Sequence, residues 1–160
     1  MITLIGDGGH AAVIRDLIRA RERLDKTFEA DGIIIAVGNN LDRRREAYIR
    51  RGAHFTYLIH PSATVASSVL IGMGTVIMAG AVVQARAIIG GHCILNSGCT
   101  VDHDCTLADY VHIAPGAHLC GNVKVGEGAL VGTGVAVAQG AVLAPWTLYK
   151  SRRLKPCPMT

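Results

Sequence analysis

From Ile59 to Leu148 an aliphatic residue returns every six positions without interruption, and few folds accept that period. The first positions of the hexads are Ile59, Val65, Ile71, Ile77, Val83, Ile89, Leu95, Val101, Leu107, Ile113, Leu119, Val125, Val131, Val137 and Leu143. The fifth positions run from Ala63 to Thr147 and are small or β-branched throughout. Glycine recurs in second position at Gly72, Gly90, Gly126 and Gly132. A helix needs apolar residues about every 3.6 positions and a simple strand about every two. A period of six means one short strand and one corner per repeat, the hexapeptide pattern of a parallel β-helix. The aliphatic residue points into the core and the small one fills the space beside it. Three hexads close a triangular coil, so 18 residues make one turn and fifteen hexads make five coils. Each coil buries its inner face only by stacking on its neighbours.

A chain of 160 residues suits one small domain plus a solenoid. No apolar run reaches the length of a membrane span. The chain opens directly on a strand, so no signal peptide is evident and a cytoplasmic location is the expectation. Cys93, Cys99 and Cys105 occupy successive fifth positions. A ring of three thiols could hold a metal, but these slots take small residues everywhere else, which makes the thiols interior fillers. The net charge is +4. Basic residues cluster at Arg43, Arg44, Arg45, Arg50 and Arg51, and again at Lys150, Arg152, Arg153 and Lys155. No row of aromatic platforms interleaves with them, Tyr48 standing alone, so nucleic acid is not the expected partner. The first cluster reads as a solvated helix face. The second reads as a phosphate contact or as a solubilising tail.

The first 58 residues read as strand, helix, strand, helix, strand. Met1–Ile5 is a strand, Ala11 to about Leu24 has helical spacing, and Ile33–Val37 is a second strand. Gly38-Asn39-Asn40 is a turn, Asp42 an N-cap for a helix through Arg51, and Phe55–Ile59 a third strand. The loop Gly6-Asp7-Gly8-Gly9-His10 could hold a phosphate at a helix N-terminus. It lacks the third glycine of the dinucleotide fingerprint, and a tight strand-to-helix turn explains it equally well.

Chemistry concentrates at Asp102-His103-Asp104, on a corner of the repeat. A histidine flanked by carboxylates can be held in one tautomer and serve as a general base. Gly121 lies 18 positions after His103 and therefore stacks over it in the next coil, at a strand spacing of about 4.8 Å. A glycine N–H there could receive an oxyanion; the alternative is a plain corner glycine. No Ser or Cys stands as a nucleophile beside a base, so direct transfer is expected rather than an acyl-enzyme.

Leu4-Ile5-Gly6-Asp7-Gly8-Gly9-His10-Ala11, then Leu58-Ile59-His60-Pro61-Ser62-Ala63, then hexads, is a combination that resembles one family. It is the family of the sialic acid O-acetyltransferases and of the N-acetyltransferases acting on UDP-linked 4-amino sugars, from Met1 to about Leu143. The resemblance implies a small Rossmann-like α/β domain over residues 1–58 and a left-handed β-helix over 59–148, with a C-terminal tail over 149–160. It implies acetyl-CoA as co-substrate, a nucleotide-linked sugar as acceptor, no metal, and a homotrimer with sites between subunits. Residue by residue, it implies His103 as base and Asp104 as its orienting acid, with His112 and Gly121 at the acetyl group. Gly132 and Thr133 then lie along the pantetheine arm, Gly8, Gly9 and His10 at the sugar nucleotide, and Asn96 near the sugar. His112 also reads as an interfacial packing residue. It lies half a coil from His103, on another part of the prism, and a neighbouring chain could bring the two together. The chain departs from the family where Glu29-Ala30-Asp31-Gly32 runs almost directly into the second strand, and where the tail reads Tyr149-Lys150-Ser151-Arg152-Arg153.

Two other functions compete. A zinc hydratase of the γ-carbonic anhydrase type needs three convergent histidines, two of them five residues apart. The spacings here, from His92 to His103 to His112 to His118, are eleven, nine and six. A β-helix retained only for binding or structure is the third reading. His54, His60, His92 and His118 read as structural, with His60 at the domain junction and His92 and His118 on outward corners.

Overall fold

The computed structural model describes residues 1–24 and 31–150. Strand β1 (Ile2–Ile5), helix α1 (Gly9–Leu24), strand β2 (Gly32–Ile35) and helix α2 (Asn40–Ile49) precede the repeats. The repeats give two-residue strands at six-residue intervals, from β3 (Leu58–Ile59) to β18 (Leu148–Tyr149). They form three parallel sheets of six, five and five strands. Partners lie one coil apart: Thr100 pairs with His118, and Val101 with Leu119. The result is a parallel β-solenoid of about five turns plus a closing strand.

First- and fifth-position side chains fill the interior as the hexads require. Leu95, Val101 and Ile113 are fully buried, and so are Cys93, Cys99 and Cys105. Burial pushes the Cys93 thiol up to about 12, so it packs as an apolar filler. Thr75 is the buried polar residue in this slot. Its hydroxyl donates to the Gly90 carbonyl (2.8 Å) and accepts from the Cys93 N–H (3.0 Å). The second-position glycines answer to close stacking: a Cβ on Gly72 would fall 2.5 Å from the Gly90 carbonyl carbon. At the open end Tyr149 takes the aliphatic slot of the closing hexad and packs against the last buried residues. Its hydroxyl accepts from the Ala144 N–H.

The N-terminal unit is smaller than its sequence suggests. β1 and β2 pair in parallel, Ile2 with Gly32 through Ile5 with Ile35. The expected third strand over Phe55–Ile59 divides: Phe55 makes one bridge to Ile33, while Leu58–Ile59 opens the solenoid. The cap of α2 is Asn39, not Asp42. The Asn39 side chain accepts from the N–H groups of Leu41 (3.0 Å) and Asp42 (3.1 Å). Asn39 holds the extended conformation a cap needs, and Asp42 falls in the first turn, where a carboxylate suits the helix dipole. Glu29 and Ala30, and the basic residues Arg152, Arg153 and Lys155, lie outside the described residues.

Two sets of contacts fasten this unit to the solenoid. Ala11, Ile14, Leu17, Ile34 and Ala36 pack on Leu58, Val76, Met78 and Ile94, the outward-facing apolar residues of one sheet. Beside them Arg43 is buried (1% exposed), contrary to the solvated face expected for its cluster. Its Nε donates to the His92 carbonyl (2.8 Å) and Nη1 to the carbonyls of Val37 and Gly38 (both 3.1 Å). Nη2 donates to Asn40 Oδ1 (2.9 Å) and to the Tyr110 carbonyl (2.8 Å). Every guanidinium N–H thus has an acceptor, which is how a charge is tolerated away from water. Asn40 extends the seam by donating to the Gly128 carbonyl (3.0 Å). Positions 92, 110 and 128 are one corner of successive coils, so a single helix end grips three of them. His92 thus sits at the expected corner, but the N-terminal unit covers it rather than leaving it facing outward. Its ring lies between Phe55 (4.7 Å, edge-on) and Tyr110 (5.4 Å, stacked). His118 lies in strand β13 (His118–Leu119), not at a corner.

Arg43→Lys keeps the charge but cannot reach five acceptors from one ammonium. Leaving buried carbonyls without donors should lower unfolding stability by about 3 kcal/mol. Denaturant unfolding measures the loss. Hydrogen exchange should show it at α1 and α2 before the solenoid strands, and unchanged stability would contradict the seam.

Candidate active site

At the corner following strand β10 (Thr100–Val101), Asp102 Oδ1 accepts from the His103 N–H (2.7 Å). His103 Nδ1 donates to Asp104 Oδ2 at 2.6 Å. Asp104 holds a left-handed backbone (φ +60°) that turns its side chain toward the imidazole. Its carboxylate also takes a forked contact from Arg86, Nε to Oδ1 at 2.6 Å and Nη2 to Oδ2 at 2.8 Å. Arg86, and then the His103 imidazole Nδ1–H, hold the Asp104 carboxyl well below the usual carboxylate range. The fixed carboxylate keeps the proton on Nδ1 and leaves the Nε2 lone pair free to accept one. His103 is about half exposed.

The 18-residue register puts Gly121 against this ring as the sequence predicts. A Cβ on Gly121 would fall 2.6 Å from His103 Cε1 and 2.7 Å from Nε2. The third residue of a hexad turns its N–H out of the strand ladder, where a preceding side chain often accepts it. Asn96 does so for Ser97 (2.8 Å) and Asp102 for His103. Cys120 precedes Gly121 and offers no such oxygen, and among the described residues no group accepts from the Gly121 N–H. The pairing is a proton acceptor and an unused N–H donor side by side.

The remaining residues named from the sequence fall elsewhere. His112, in strand β12 (His112–Ile113), meets Asn96, whose Nδ2 donates to His112 Nε2 (3.2 Å). Burial, then the Arg43 cation, then His10 push His112 down to about 3. Burial and Arg43 push His10 down to about 4. Both rings are therefore neutral near pH 7. The buried Nε2 of His10 has no hydrogen-bond partner among the described residues. Gly8 and Gly9 are exposed where α1 begins, with open space around both. Gly132 and Thr133 follow strand β15 (Leu130–Val131), where the Gly132 N–H donates to the Tyr149 carbonyl (2.7 Å). Within one chain, then, His103, Asp104 and Gly121 form one cluster, and His10, Asn96 and His112 another beneath the N-terminal unit. Sequence reading missed Arg86 and Arg43. Arg86 was within reach of the register, since it precedes Asp104 by 18 residues; burial of Arg43 has no such signal.

His92, His103, His112 and His118 occupy four separate environments, His118 beside Thr100 (2.9 Å) on a flat face. Among the described residues no three His, Cys, Asp or Glu side chains converge in an arrangement that could hold a metal. No helix among them is long and apolar enough to cross a membrane.

Comparison with known proteins decides the family. The acetyltransferase domain of PglB from Neisseria gonorrhoeae, solved in complex with acetyl coenzyme A, is 36% identical and superposes with a TM-score of 0.83. The match covers 92% of this chain and 86% of that domain. This chain belongs to the hexapeptide-repeat sugar acetyltransferases. Perosamine N-acetyltransferase from Caulobacter crescentus, 30% identical, superposes with a TM-score of 0.81 over 92% of this chain and 84% of that one. It has been solved with CoA and GDP-perosamine, including variants in which one histidine is replaced by Asn or Ala. WeeI from Acinetobacter baumannii, 21% identical with a TM-score of 0.64, shares the fold. No protein-family model and no curated protein sequence matches the chain. In this sugar acetyltransferase, Gly121→Ala should drive the His103 ring off its seat and break the Nδ1 bond to Asp104. The imidazole ¹⁵N spectrum should then show mixed tautomers in a protein that remains folded; an unchanged spectrum would contradict the packing.

Proposed function

We propose that this chain transfers the acetyl group of acetyl-CoA directly to an amino or hydroxyl group of a nucleotide-linked sugar. The observation that carries the reading is the His103 ring packed on Gly121, with Nδ1 anchored to Asp104. The acceptor nitrogen or oxygen attacks the thioester carbonyl carbon while His103 Nε2 takes its proton. The Gly121 N–H receives the oxygen that gains negative charge. The tetrahedral intermediate collapses, the C–S bond breaks, and the imidazolium returns the proton to the leaving thiolate. Asp104 keeps the imidazole in the tautomer this requires.

Support for the co-substrate and acceptor comes from what the relatives bind, acetyl-CoA in one case and CoA with GDP-perosamine in the other. On this reading His112, Gly121, Gly132 and Thr133 contact acetyl-CoA, and Gly8, Gly9, His10 and Asn96 contact the acceptor. The neutral rings of His10 and His112 suit that role, since they offer hydrogen bonds without repelling a cationic amino sugar. Residues 1–58 act as a Rossmann-like acceptor-binding domain, 59–148 as a left-handed β-helix, and 149–160 as a tail. The assembly is a homotrimer in which a second chain completes the site, because one chain leaves the His103 and His112 clusters apart.

Purified protein given acetyl-CoA and a panel of GDP- and UDP-linked amino sugars should release free thiol. His103→Ala should cut turnover by roughly 10²–10⁴-fold with acetyl-CoA affinity nearly unchanged. Turnover close to the unmodified protein would remove His103 as the base. Light scattering should give three times the 16.9 kDa chain mass; a monomer at micromolar concentration would contradict the shared site.

A further inference from the structure

Arg86 sits at the same corner as Asp104, one coil earlier, and both residues hold left-handed backbones (φ +61° and +60°). That conformation disfavours most L-residues by about 1–2 kcal/mol. Asn and Asp tolerate it best after glycine. In this corner column the later positions conform, with Asp104, Asn122 and Gly140 at positive φ. Arg86 does not. The other bulky residues at positive φ are His92, Tyr110 and Trp146, and all three belong to the seam with the N-terminal unit. His92 and Tyr110 stack there, and Trp146 lies beneath the Arg44 guanidinium (5.2 Å). Arg86 is far from that seam. Its backbone N–H donates to Ser68 Oγ (3.0 Å), and its head group goes to the Asp104 carboxylate.

We infer that Arg86 is a positioning residue for acetyl transfer, acting through Asp104 on His103. This deepens the proposed function and rests on it. The left-handed backbone turns Arg86 along the coil stack toward the next corner. Its fork fixes the plane of the Asp104 carboxylate, which a single bond from His103 would leave free to rotate. One oxygen, Oδ2, is shared between Arg86 Nη2 and His103 Nδ1, while Oδ1 is taken by Arg86 Nε. The carboxylate can therefore orient the imidazole in one way only. Lysine could supply the charge but not the two-point fork.

Three single substitutions and one double variant test this, read by turnover kinetics and by the imidazole spectrum. Arg86→Met removes fork and charge, Arg86→Lys restores the charge alone, and Asp104→Asn removes the acceptor. The Arg86 head is largely exposed, so its replacements should fold. With acetyl-CoA and whichever GDP- or UDP-linked amino sugar the native protein turns over, Arg86→Met should lower kcat by roughly 10–100-fold. KM for acetyl-CoA and for the sugar should be unchanged. Arg86→Lys should recover only part of the lost kcat, because it restores the charge without the fork. In the Asp104→Asn background, Arg86→Met should change kcat by less than about two-fold, because the path through the carboxylate is already cut. Without any acceptor, the imidazole ¹⁵N spectrum of Arg86→Met should show His103 as a mixture of tautomers where the native protein shows one. A raised KM for acetyl-CoA or the sugar would mean that Arg86 binds substrate directly, and equal losses in both backgrounds would mean a structural role. Either result, or a single tautomer in Arg86→Met, overturns the inference. Absence of acetyl transfer by the native protein would instead sink the proposed function, and the tautomer measurement would still decide the role of Arg86.

Discussion

The hydrogen bond from one coil to the next is the constraint on which this structure depends. The Thr100 N–H donates to the Ala117 carbonyl (2.9 Å) and the Asp102 N–H to the Leu119 carbonyl (3.0 Å), and the same step recurs through the solenoid. It locks residues 18 positions apart into vertical columns at about 4.8 Å. Nothing in such a column can slip by one residue without turning an aliphatic side chain out of the core. The register that buries Leu95 and Val101 is therefore also the register that lays Gly121 on His103 and Arg86 beside Asp104. The geometry of the His103 corner is a by-product of core packing, which is why a short, exposed corner can hold a histidine in one orientation.

A second constraint closes the molecule. Among the described residues the N-terminal unit has two paired strands and could bury little apolar surface alone. It borrows a face of the solenoid, and Arg43 ties its second helix to the corners at His92 and Tyr110. Burial first, and then the same cation, keep His10 and His112 neutral. One buried arginine thus fixes the position of the unit and adds to the burial that keeps the histidines beneath it neutral.

The hexad made the solenoid, its five turns and its cysteine filling legible in the sequence, because a period of six admits no competing element. The 18-residue step made Gly121 legible for the same reason. Arg86 was open to the same arithmetic and was missed because Asp102 and Asp104 already flanked the histidine. The outward apolar residues Leu58, Val76 and Ile94 also repeat at 18 and mark the docked face, a signal hidden when the chain is read in sixes. The burial of Arg43 and the division of the Phe55–Ile59 segment were not legible. Both arise where two units meet, and local spacing carries no information about what packs against a corner. The cap on Asn39 rather than Asp42 is a smaller case, in which two good capping residues stand three apart and tertiary contacts choose.

The measurement that tests the account most directly is a crystal structure of the protein with acetyl-CoA bound. The account predicts the thioester oxygen about 3 Å from the Gly121 nitrogen. His103 Nε2 should face the carbonyl carbon from the side open to an acceptor, and the His103–Asp104 contact should be kept. A thioester bound away from this corner, with Gly121 and His103 untouched, would contradict it.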